Sequence, residues 1–462
     1  MNRIASVQVP DFGRSETLPD LPLDEYRARL DAATGRMQRD SLDILIVYAD
    51  REHSATLAFL TGFDPRFEEA LLLLDTAGRR LLLVGNECLG YLPDPSLGLD
   101  VELFQELSLL GQQRDGSRPL AAILGDFGVG AGRNVGCVGW KYFEAGLVDD
   151  PDRAIEIPSY VVDALRALTG DRGSVRNATA LFMNPDDGLR LTNSADQIAR
   201  FEFAATRTSE SVLDVVRHLE PGTSEADLAR LMRGDVLPQS CHPMLSFGEK
   251  ARRGLSSPSH LRAARGDTYT TAFGIWGALT CRAGVVGNRR DDLPDGVADF
   301  YPAYVANYFD AVVAWYQTVT VGAVAGDVFA AVEAARDASL WHRAVNPGHY
   351  IHLDEWMHSP FTPGSQTVLR SGVALQMDII PVSNGPFCYA NVEDGIVLAD
   401  DALRAELAGR HPAAWKRIDA RRTFMTDALG IALDVSVLPL SNMPAWLPPY
   451  ALDLDHALVA SR

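Results

Sequence analysis

Pairs of helices and pairs of strands alternate after residue 190, and this order constrains the fold more than any other feature of the sequence. Ser194 and Gln197 form a capping-box pattern, and the apolar residues behind them recur at helical spacing as far as Leu219. A second helix follows, capped by Thr223 or Ser224. The remaining predicted elements are strands at 268–274, 278–281, 373–381 and 391–398 and helices at 297–319 and 327–340. Strands set against helix pairs in this way predict an α+β domain.

The first 175 residues have a different organisation. Apolar runs at 70–74 and 81–84 flank the polar turn 75–78, which predicts a β-hairpin. Further predicted strands lie at 42–48 and 134–138, and predicted helices lie at 23–38 and 160–168. This alternation predicts an α/β domain. We therefore expect an N-terminal domain over 1–175, a second domain over 176–400 and an extension over 401–462 that packs on the second domain.

Composition narrows the classes of partner. The net charge of −19 disfavours nucleic acid and anionic membrane surfaces, since both attract basic patches. No apolar run reaches the roughly 18 residues of a membrane helix, and the first 20 residues lack the apolar core of a signal peptide. The five cysteines are scattered, without a C-x-x-C pair. We expect a cytoplasmic protein that acts on a small molecule.

Four segments of the second domain place ionisable residues within strands or beside glycine turns. They are GDTYTTAFG (266–274), GHYIHLDEWMHSP (348–360), LRSGVALQMDIIP (369–381) and NVEDGIVLAD (391–400). In order and spacing they resemble the C-terminal domain of the creatinase/prolidase/aminopeptidase P family. The segments LDILIVYAD, LTGFDPRFEEALLLLD and LLLVG resemble the smaller leading domain of that family. The resemblance implies an α/β creatinase-like N-terminal domain, an α+β pita-bread C-terminal domain and a homodimer.

The metalloenzymes of this family hold two metal ions with two Asp, one His and two Glu. The resemblance places the His at His349, the first Glu at Asp378 and the second at Glu393. The first Asp position falls on Ala272, and the second falls near Thr280 or Cys281. Loss of both bridging carboxylates removes most of the charge that two divalent ions require, so we expect no dimetal site and no cofactor. If one ion binds, its ligands are His349, Asp378 and Glu393.

Creatinase, the metal-independent branch of the family, also lacks the Asp ligands, and this chain resembles it in that strategy. Two further family histidines fall on Ser256 and Trp356, so peptidase activity does not transfer directly. Two carboxylates that converge in a cleft need a cation or a shared proton between them. We expect either that Arg282 supplies the positive charge, or that Asp378 or Glu393 takes up a proton.

Three other residues are candidates for substrate binding. Arg66 lies in FDPRFEE, where in creatinase-like dimers an N-terminal arginine holds a substrate carboxylate in the partner's site; a surface role is the alternative. Trp356 lines a pocket or fills a core, and His352 is either a substrate contact or a structural residue that faces away from His349. The pair Cys241-His242 resembles half of a thiol catalyst, but the sequence shows no third partner, which favours a structural role.

These observations lead to one main functional hypothesis and two alternatives. The main hypothesis is a metal-independent, creatinase-like hydrolase or lyase that acts on a C–N bond of a small compound with an amide, amidine or carboxylate group. In it His349 shuttles a proton, Asp378 and Glu393 act as acid and base, and Arg282 stabilises charge. The alternatives are a catalytically silent pita-bread binding protein and a single-metal Xaa-Pro peptidase-like hydrolase or lyase.

Overall fold

The structure, a computed structural model, describes residues 3–170, 174–254 and 256–460. The strands of these ranges are β1 (Arg3–Ser6), β2 (Ile44–Ala49), β3 (Ala70–Asp75), β4 (Arg80–Val84), β5 (Asp100–Leu103), β6 (Asn134–Val138), β7 (Ser174–Asn177), β8 (Cys241–Phe247), β9 (Thr268–Ile275), β10 (Ala278–Val285), β11 (Trp341–Arg343), β12 (His349–Tyr350), β13 (Ala374–Asp378), β14 (Pro381–Ser383), β15 (Asn391–Leu398), β16 (Val437–Pro439) and β17 (His456–Val459). The α-helices are α1 (Leu23–Arg39), α2 (Ala55–Thr61), α3 (Leu120–Phe127), α4 (Ser159–Thr169), α5 (Ala180–Met183), α6 (Ala195–Arg217), α7 (Glu225–Ala229), α8 (Val297–Thr318), α9 (Ala325–Ala335), α10 (Asp401–Arg410) and α11 (Pro412–Thr423). Within the described ranges, none of the helices combines the length and the apolar character that a membrane span requires.

The chain divides into two compact units. The first is Leu21–Arg190, and the second contains the described residues up to Asp20 together with those from Leu191 onward. The boundary expected near residue 175 falls inside the first unit, because β7 pairs with β6 in the sheet of that unit. The described residues before Leu21, which were expected in the N-terminal domain, belong to the second unit, because β1 pairs with β17.

The first unit is built on a six-stranded mixed sheet with the order β5-β4-β3-β2-β6-β7. The predicted hairpin is present as β3 and β4, and Asp75 closes its turn by accepting hydrogen bonds from the backbone N–H groups of Ala77 and Arg79. Every residue of β2 and β3 is buried, so both faces of the sheet are covered. Both faces therefore contribute to the core, in keeping with the α/β organisation that the sequence predicts.

The second unit is built on a seven-stranded antiparallel sheet. Its order is β12-β13-β15-β10-β9-β8, with β16 paired to the far half of β15. Helix α6 packs on β9 and β10, and α8 packs on α9 and β13. The Ser194 side chain accepts a hydrogen bond from the backbone N–H of Gln197, which confirms the predicted cap of α6. Ser224 caps α7 in the same way.

The C-terminal residues belong to the second unit and cover one face of its sheet. Helix α11 is continued by a π-helical turn at Phe424–Ala428. Buried Glu202 of α6 accepts hydrogen bonds from Arg417 and Arg421 of α11. These bonds tie the C-terminal residues to α6.

Candidate active site

The register of the central strands puts one row of side chains on the same face of the sheet. Asp378 of β13 lies opposite Glu393 of β15, which in turn lies opposite Cys281 of β10. Cys281 lies opposite Ala272 of β9. Since directly opposed residues in antiparallel strands share a face, all four side chains point the same way. Asp378 is 3% exposed and Glu393 is 6% exposed, so both carboxyl groups are withdrawn from solvent.

His349 joins this row from the edge strand β12, where it lies opposite Gln376 of β13. Gly348 precedes it with a φ of +107°, and a Cβ there would lie 2.7 Å from the carbonyl oxygen of Gln376. A side chain at this position would be strained, so glycine is required for His349 to enter the sheet edge. The Nδ1–H of His349 donates to the Tyr350 carbonyl at 3.1 Å, which turns Nε2 toward the carboxyl groups.

Three carboxyl groups surround His349 Nε2. The nearest oxygen belongs to Glu355 at 3.2 Å, followed by Glu393 at 3.9 Å and Asp378 at 4.0 Å. The structure thus brings His349, Asp378 and Glu393 together as the sequence predicts. Glu355 is an addition that the sequence analysis missed.

Glu355 was missed because the path of the backbone beyond His349 is not evident from the sequence. Only His349 and Tyr350 are in a strand, and the chain then folds back so that the Tyr350 N–H bonds to the His358 carbonyl. This turn carries Glu355 to Nε2 and lays the Trp356 ring on the imidazole, with 4.1 Å between ring centroids. The two consecutive acidic residues Asp354 and Glu355, close to His349 in the sequence, were the feature that could have indicated a further carboxyl group at the site.

The surroundings of His349, Asp378 and Glu393 raise the pKa values of all three groups, so these groups hold their protons to higher pH than usual. Burial acts to lower the pKa of His349, but Glu355, Glu393 and Asp378 outweigh it and raise that pKa to about 10. Burial, together with the charge of Glu393, raises the pKa of Asp378 well above its usual value. Burial also raises the pKa of Glu393, although hydrogen bonding with His349 and Gln376 opposes this. The imidazole therefore stays protonated near neutral pH.

The cluster forms one wall of a cavity of about 400 Å³, which we call the inner cavity. Trp356 and Tyr389 are aromatic walls, and Cys241 and Cys281 contribute thiols. Burial raises the pKa of Cys241 to about 12, so its thiol is not prepared as a nucleophile. His242, given a structural role by the sequence analysis, also lines this cavity.

Two buried oxygen atoms of carboxyl or amide groups at the inner cavity have no hydrogen-bond partner among the described residues. They are Oδ1 of Asp378 and Oδ1 of Asn391, which is 2% exposed. Buried polar atoms are nearly always paired with protein, water or a ligand. This wall is therefore suited to a polar molecule or a cation that enters the cavity.

Arg282 does not face this cluster, and the expectation that it points toward Asp378 and Glu393 is wrong. It follows Cys281 in β10, so its side chain lies on the opposite face of the sheet. There its guanidinium, fully buried, pairs with Asp394 at 2.8 Å and donates to the carbonyl of Trp446. Arg282 anchors the C-terminal residues to the back of the sheet.

Among known proteins, similarity to this chain is found in solved structures. No model of a known protein family matches the chain, and no curated protein matches it in sequence. The prolidase of Thermococcus sibiricus is similar in structure, with a TM-score of 0.61, 17% identity, and coverage of 81% of this chain and 95% of that protein. The Xaa-Pro dipeptidase of Bacillus anthracis is similar with a TM-score of 0.60, 14% identity, and coverage of 82% and 96%. The chain has the pita-bread fold that these structures share.

The pita-bread fold also occurs outside peptidases among the similar structures. The N-terminal domain of the FACT complex subunit SPT16 from chickpea (Cicer arietinum) has a TM-score of 0.59 and 13% identity, with coverage of 83% of this chain and 96% of that domain. A shared fold at this identity therefore carries no activity with it. The activity has to be inferred from the site.

The family's five-ligand dimetal set does not fit this pita-bread site. Ala272 and Cys281, which the sequence resemblance aligns with the Asp ligands, lie on the cavity face and carry no carboxylate, whereas Thr280 faces α6 and hydrogen-bonds Thr208. A single ion fits better, since ligand atoms of His349, Asp378 and Glu393 lie within 4.8 Å of one another. The Nδ1–H bond to a backbone carbonyl is also typical of metal-binding histidines.

The predicted substrate-binding residues occupy three different settings. Trp356 lines the inner cavity. His352 is buried and packs edge-on against Phe201 of α6, so the predicted substrate contact is wrong for this cavity. Arg66 lies exposed in the first unit, where its guanidinium stacks 4.8 Å from the centroid of the Tyr91 ring. Its role in a partner's site, and the homodimer itself, stay predictions.

Proposed function

We propose that the protein is a hydrolase that cleaves a C–N bond of a small polar compound without a dimetal centre. The observation that carries the proposal is the convergence of His349 with the carboxyl groups of Glu355, Asp378 and Glu393 on an open cavity. A binding protein that retained only the fold would have no need to keep two buried carboxyl groups and a partly exposed third around one imidazole, since such burial is costly. Their retention supports a catalytic role.

The positive charge expected from Arg282 is assigned to His349. With the Glu355 carboxylate 3.2 Å from Nε2 as its ion-pair partner, the imidazolium is a fixed cation that stabilises negative charge developing on the oxygen or nitrogen of the reacting group. This replaces the proton-shuttle role that the sequence suggested for His349, because a group whose pKa is about 10 releases its proton poorly near neutral pH.

Asp378 and Glu393 are assigned the proton transfers. Gln376 donates to Glu393 Oε1 at 3.1 Å and orients that carboxylate, which as general base takes a proton from the attacking water. The water oxygen bonds to the carbon of the amide or amidine. Asp378, whose pKa is raised, keeps a proton and delivers it to the nitrogen as the C–N bond breaks. Positioned acid–base groups of this kind contribute about 10²–10⁴-fold each.

A single bound ion is the competing assignment, and the ligand distances favour it over a dimetal centre. His349, Asp378 and Glu393 would hold the ion, with the Nδ1–H bond to the Tyr350 carbonyl orienting the imidazole. Such an ion would supply Lewis-acid polarisation of the scissile group. The two assignments differ in whether activity depends on metal.

The test combines elemental analysis with activity assays on protein purified without chelator. Xaa-Pro dipeptides, suggested by the name of the Bacillus anthracis neighbour, and guanidino acids are the first substrates, assayed with and without EDTA. We expect turnover that survives EDTA, and losses of about 10²-fold or more in Asp378→Asn, Glu393→Gln and Glu355→Gln. Asp295→Asn, an exposed carboxylate outside the cavity, is the matched control and should retain full activity.

Two results would replace the proposal. Near-stoichiometric transition metal with EDTA-sensitive turnover would establish the single-metal assignment. Ligand binding in the inner cavity without turnover in either condition would favour the catalytically silent binding protein, an outcome consistent with the shared fold of the chickpea FACT domain.

A further inference from the structure

A second cavity of about 440 Å³ adjoins the inner cavity. The two share Gly254, Ile380 and Tyr389 as wall residues, so they meet along one boundary. We call the second one the outer cavity. Both lie in the second unit.

The two cavities differ in charge. The inner cavity has three acidic wall residues, and neither lysine nor arginine occurs among its described wall residues. The outer cavity is lined by Arg252 and Arg253, and its described wall residues include no acid. A local basic site stands out in a chain with a net charge of −19. An anionic group that reaches this boundary is therefore attracted only on the outer side.

The two arginines are not equivalent. Arg252 Nε lies 2.8 Å from Glu249 Oε2, and its guanidinium carbon lies 4.1 Å from the centroid of the Phe387 ring. The charge of Arg252 therefore already has partners. The Arg253 side chain is exposed and makes no hydrogen bond or ion pair with any residue that the structure describes. Its guanidinium retains the full set of donors that bind carboxylates and phosphates in a forked geometry.

The segment that carries Arg253 is fixed by hydrogen bonds to the buried side chain of Glu225. Arg253 ends the 3-10 helix Gly248–Arg253, which follows β8. Glu225, fully buried, accepts hydrogen bonds from the Phe247 and Ser259 backbone N–H groups on either side of this helix and from Lys250 within it. The guanidinium is thus carried by an anchored segment, which lowers the entropic cost of ligand binding.

We propose that Arg253 binds an oxyanion at one end of an elongated ligand whose other end occupies the inner cavity. The inner end carries hydrogen-bond donors, because Asp378 Oδ1 and Asn391 Oδ1 are unpartnered acceptors within the described structure. The ligand class is therefore dipolar: an ammonium, amide or amidinium group joined by a short chain to a carboxylate or phosphate-like group. This inference rests on the proposed function in taking the inner cavity as the reacting end.

The experiment measures binding by calorimetry and requires no turnover. The probes are γ-aminobutyrate, δ-aminovalerate and ε-aminocaproate, each with its neutral carboxamide and with the aminoalkylphosphonate of the same chain length. We expect the best-fitting acid to bind about ten-fold more tightly than its amide, since one charge-assisted pair is lost in the amide. The stronger of the carboxylate and phosphonate arms identifies the oxyanion.

Arg253→Gln should abolish the preference for the acid and leave the affinity for the amide unchanged. Arg289→Gln, an exposed arginine outside both cavities, is the control and should keep the preference. An unchanged preference in Arg253→Gln, or no binding by any probe to the wild-type protein, would overturn the proposal. Glu393→Gln separates the two proposals, because it should lose turnover while the acid preference measured by calorimetry persists.

Discussion

At the scale of single residues, the side of the sheet on which a charge lies decides its role. Arg282 and Cys281 are neighbours in β10, yet Cys281 lines the inner cavity and Arg282 lies buried behind the sheet against Asp394. A buried ion pair contributes little when both partners are present, but removal of one partner leaves an unpaired charge. Asp394 is 1% exposed, so removal of Arg282 would leave its carboxylate buried without its ion-pair partner.

We predict that Arg282→Met destabilises the protein by about 3–5 kcal/mol. The double variant Arg282→Met/Asp394→Leu should recover part of the loss, because it removes both charges. The measurement is urea unfolding followed by circular dichroism. Arg230→Met, which breaks an exposed ion pair with Asp227, is the control and should cost less than about 1 kcal/mol. A single variant no worse than this control would show that the buried pair is unimportant.

At the scale of elements, α7 and the 3-10 helix Gly248–Arg253 are joined through one side chain. The Glu225 carboxylate accepts bonds from Phe247, Lys250 and Ser259, with both the N–H and the hydroxyl of Ser259 contributing. A carboxylate with this many donors stabilises the segment more than a neutral amide can, since charged acceptors form the stronger bonds.

We predict that Glu225→Gln loosens this segment and costs about 1–3 kcal/mol in global stability. Hydrogen exchange at the Phe247 and Ser259 amides should accelerate, because both lose a charged acceptor. Glu220→Gln, an exposed change just before α7, is the matched control and should leave both amides protected. Unchanged exchange in Glu225→Gln would mean that the segment is held by other contacts.

The elements themselves were largely predictable from local patterns, whereas the site was predictable only in part. Capping at Ser194 and the hairpin turn at 75–78 depend on neighbouring residues alone, and both predictions are confirmed. The face on which Arg282 lies depends on strand register, which the sequence does not contain. Glu355 reaches His349 through a turn that follows the two-residue strand β12, so its position could be found only from the path of the backbone.

At the scale of the whole molecule, the buried cluster should make stability depend on pH. The pKa values of His349, Asp378 and Glu393 are all raised, so the folded state holds more protons than the unfolded state. The stabilisation from each group is complete below its ordinary pKa and is lost as the pH rises through its raised value. All three contributions therefore have the same sign.

We predict that the free energy of unfolding in EDTA falls by about 1 kcal/mol or more as the pH rises from about 6 to about 9. Denaturant titrations at several pH values measure it, and His349→Gln should show a shallower fall. A bound cation would take the place of the protons, so the fall should disappear if metal is added and binds. Stability that rises over this range in EDTA would contradict the raised pKa values.

The pairing of β1 with β17 has a consequence for how the molecule is made. Arg3 lies opposite Val459, so β1 is synthesised more than four hundred residues before its partner strand. The first unit is synthesised completely in between. β1 therefore stays unpaired until β17 has been synthesised. In a chain stalled on the ribosome before β17 is synthesised, β1 should be accessible to a protease. The first unit, Leu21–Arg190, should already be folded and resist the protease in the same chain.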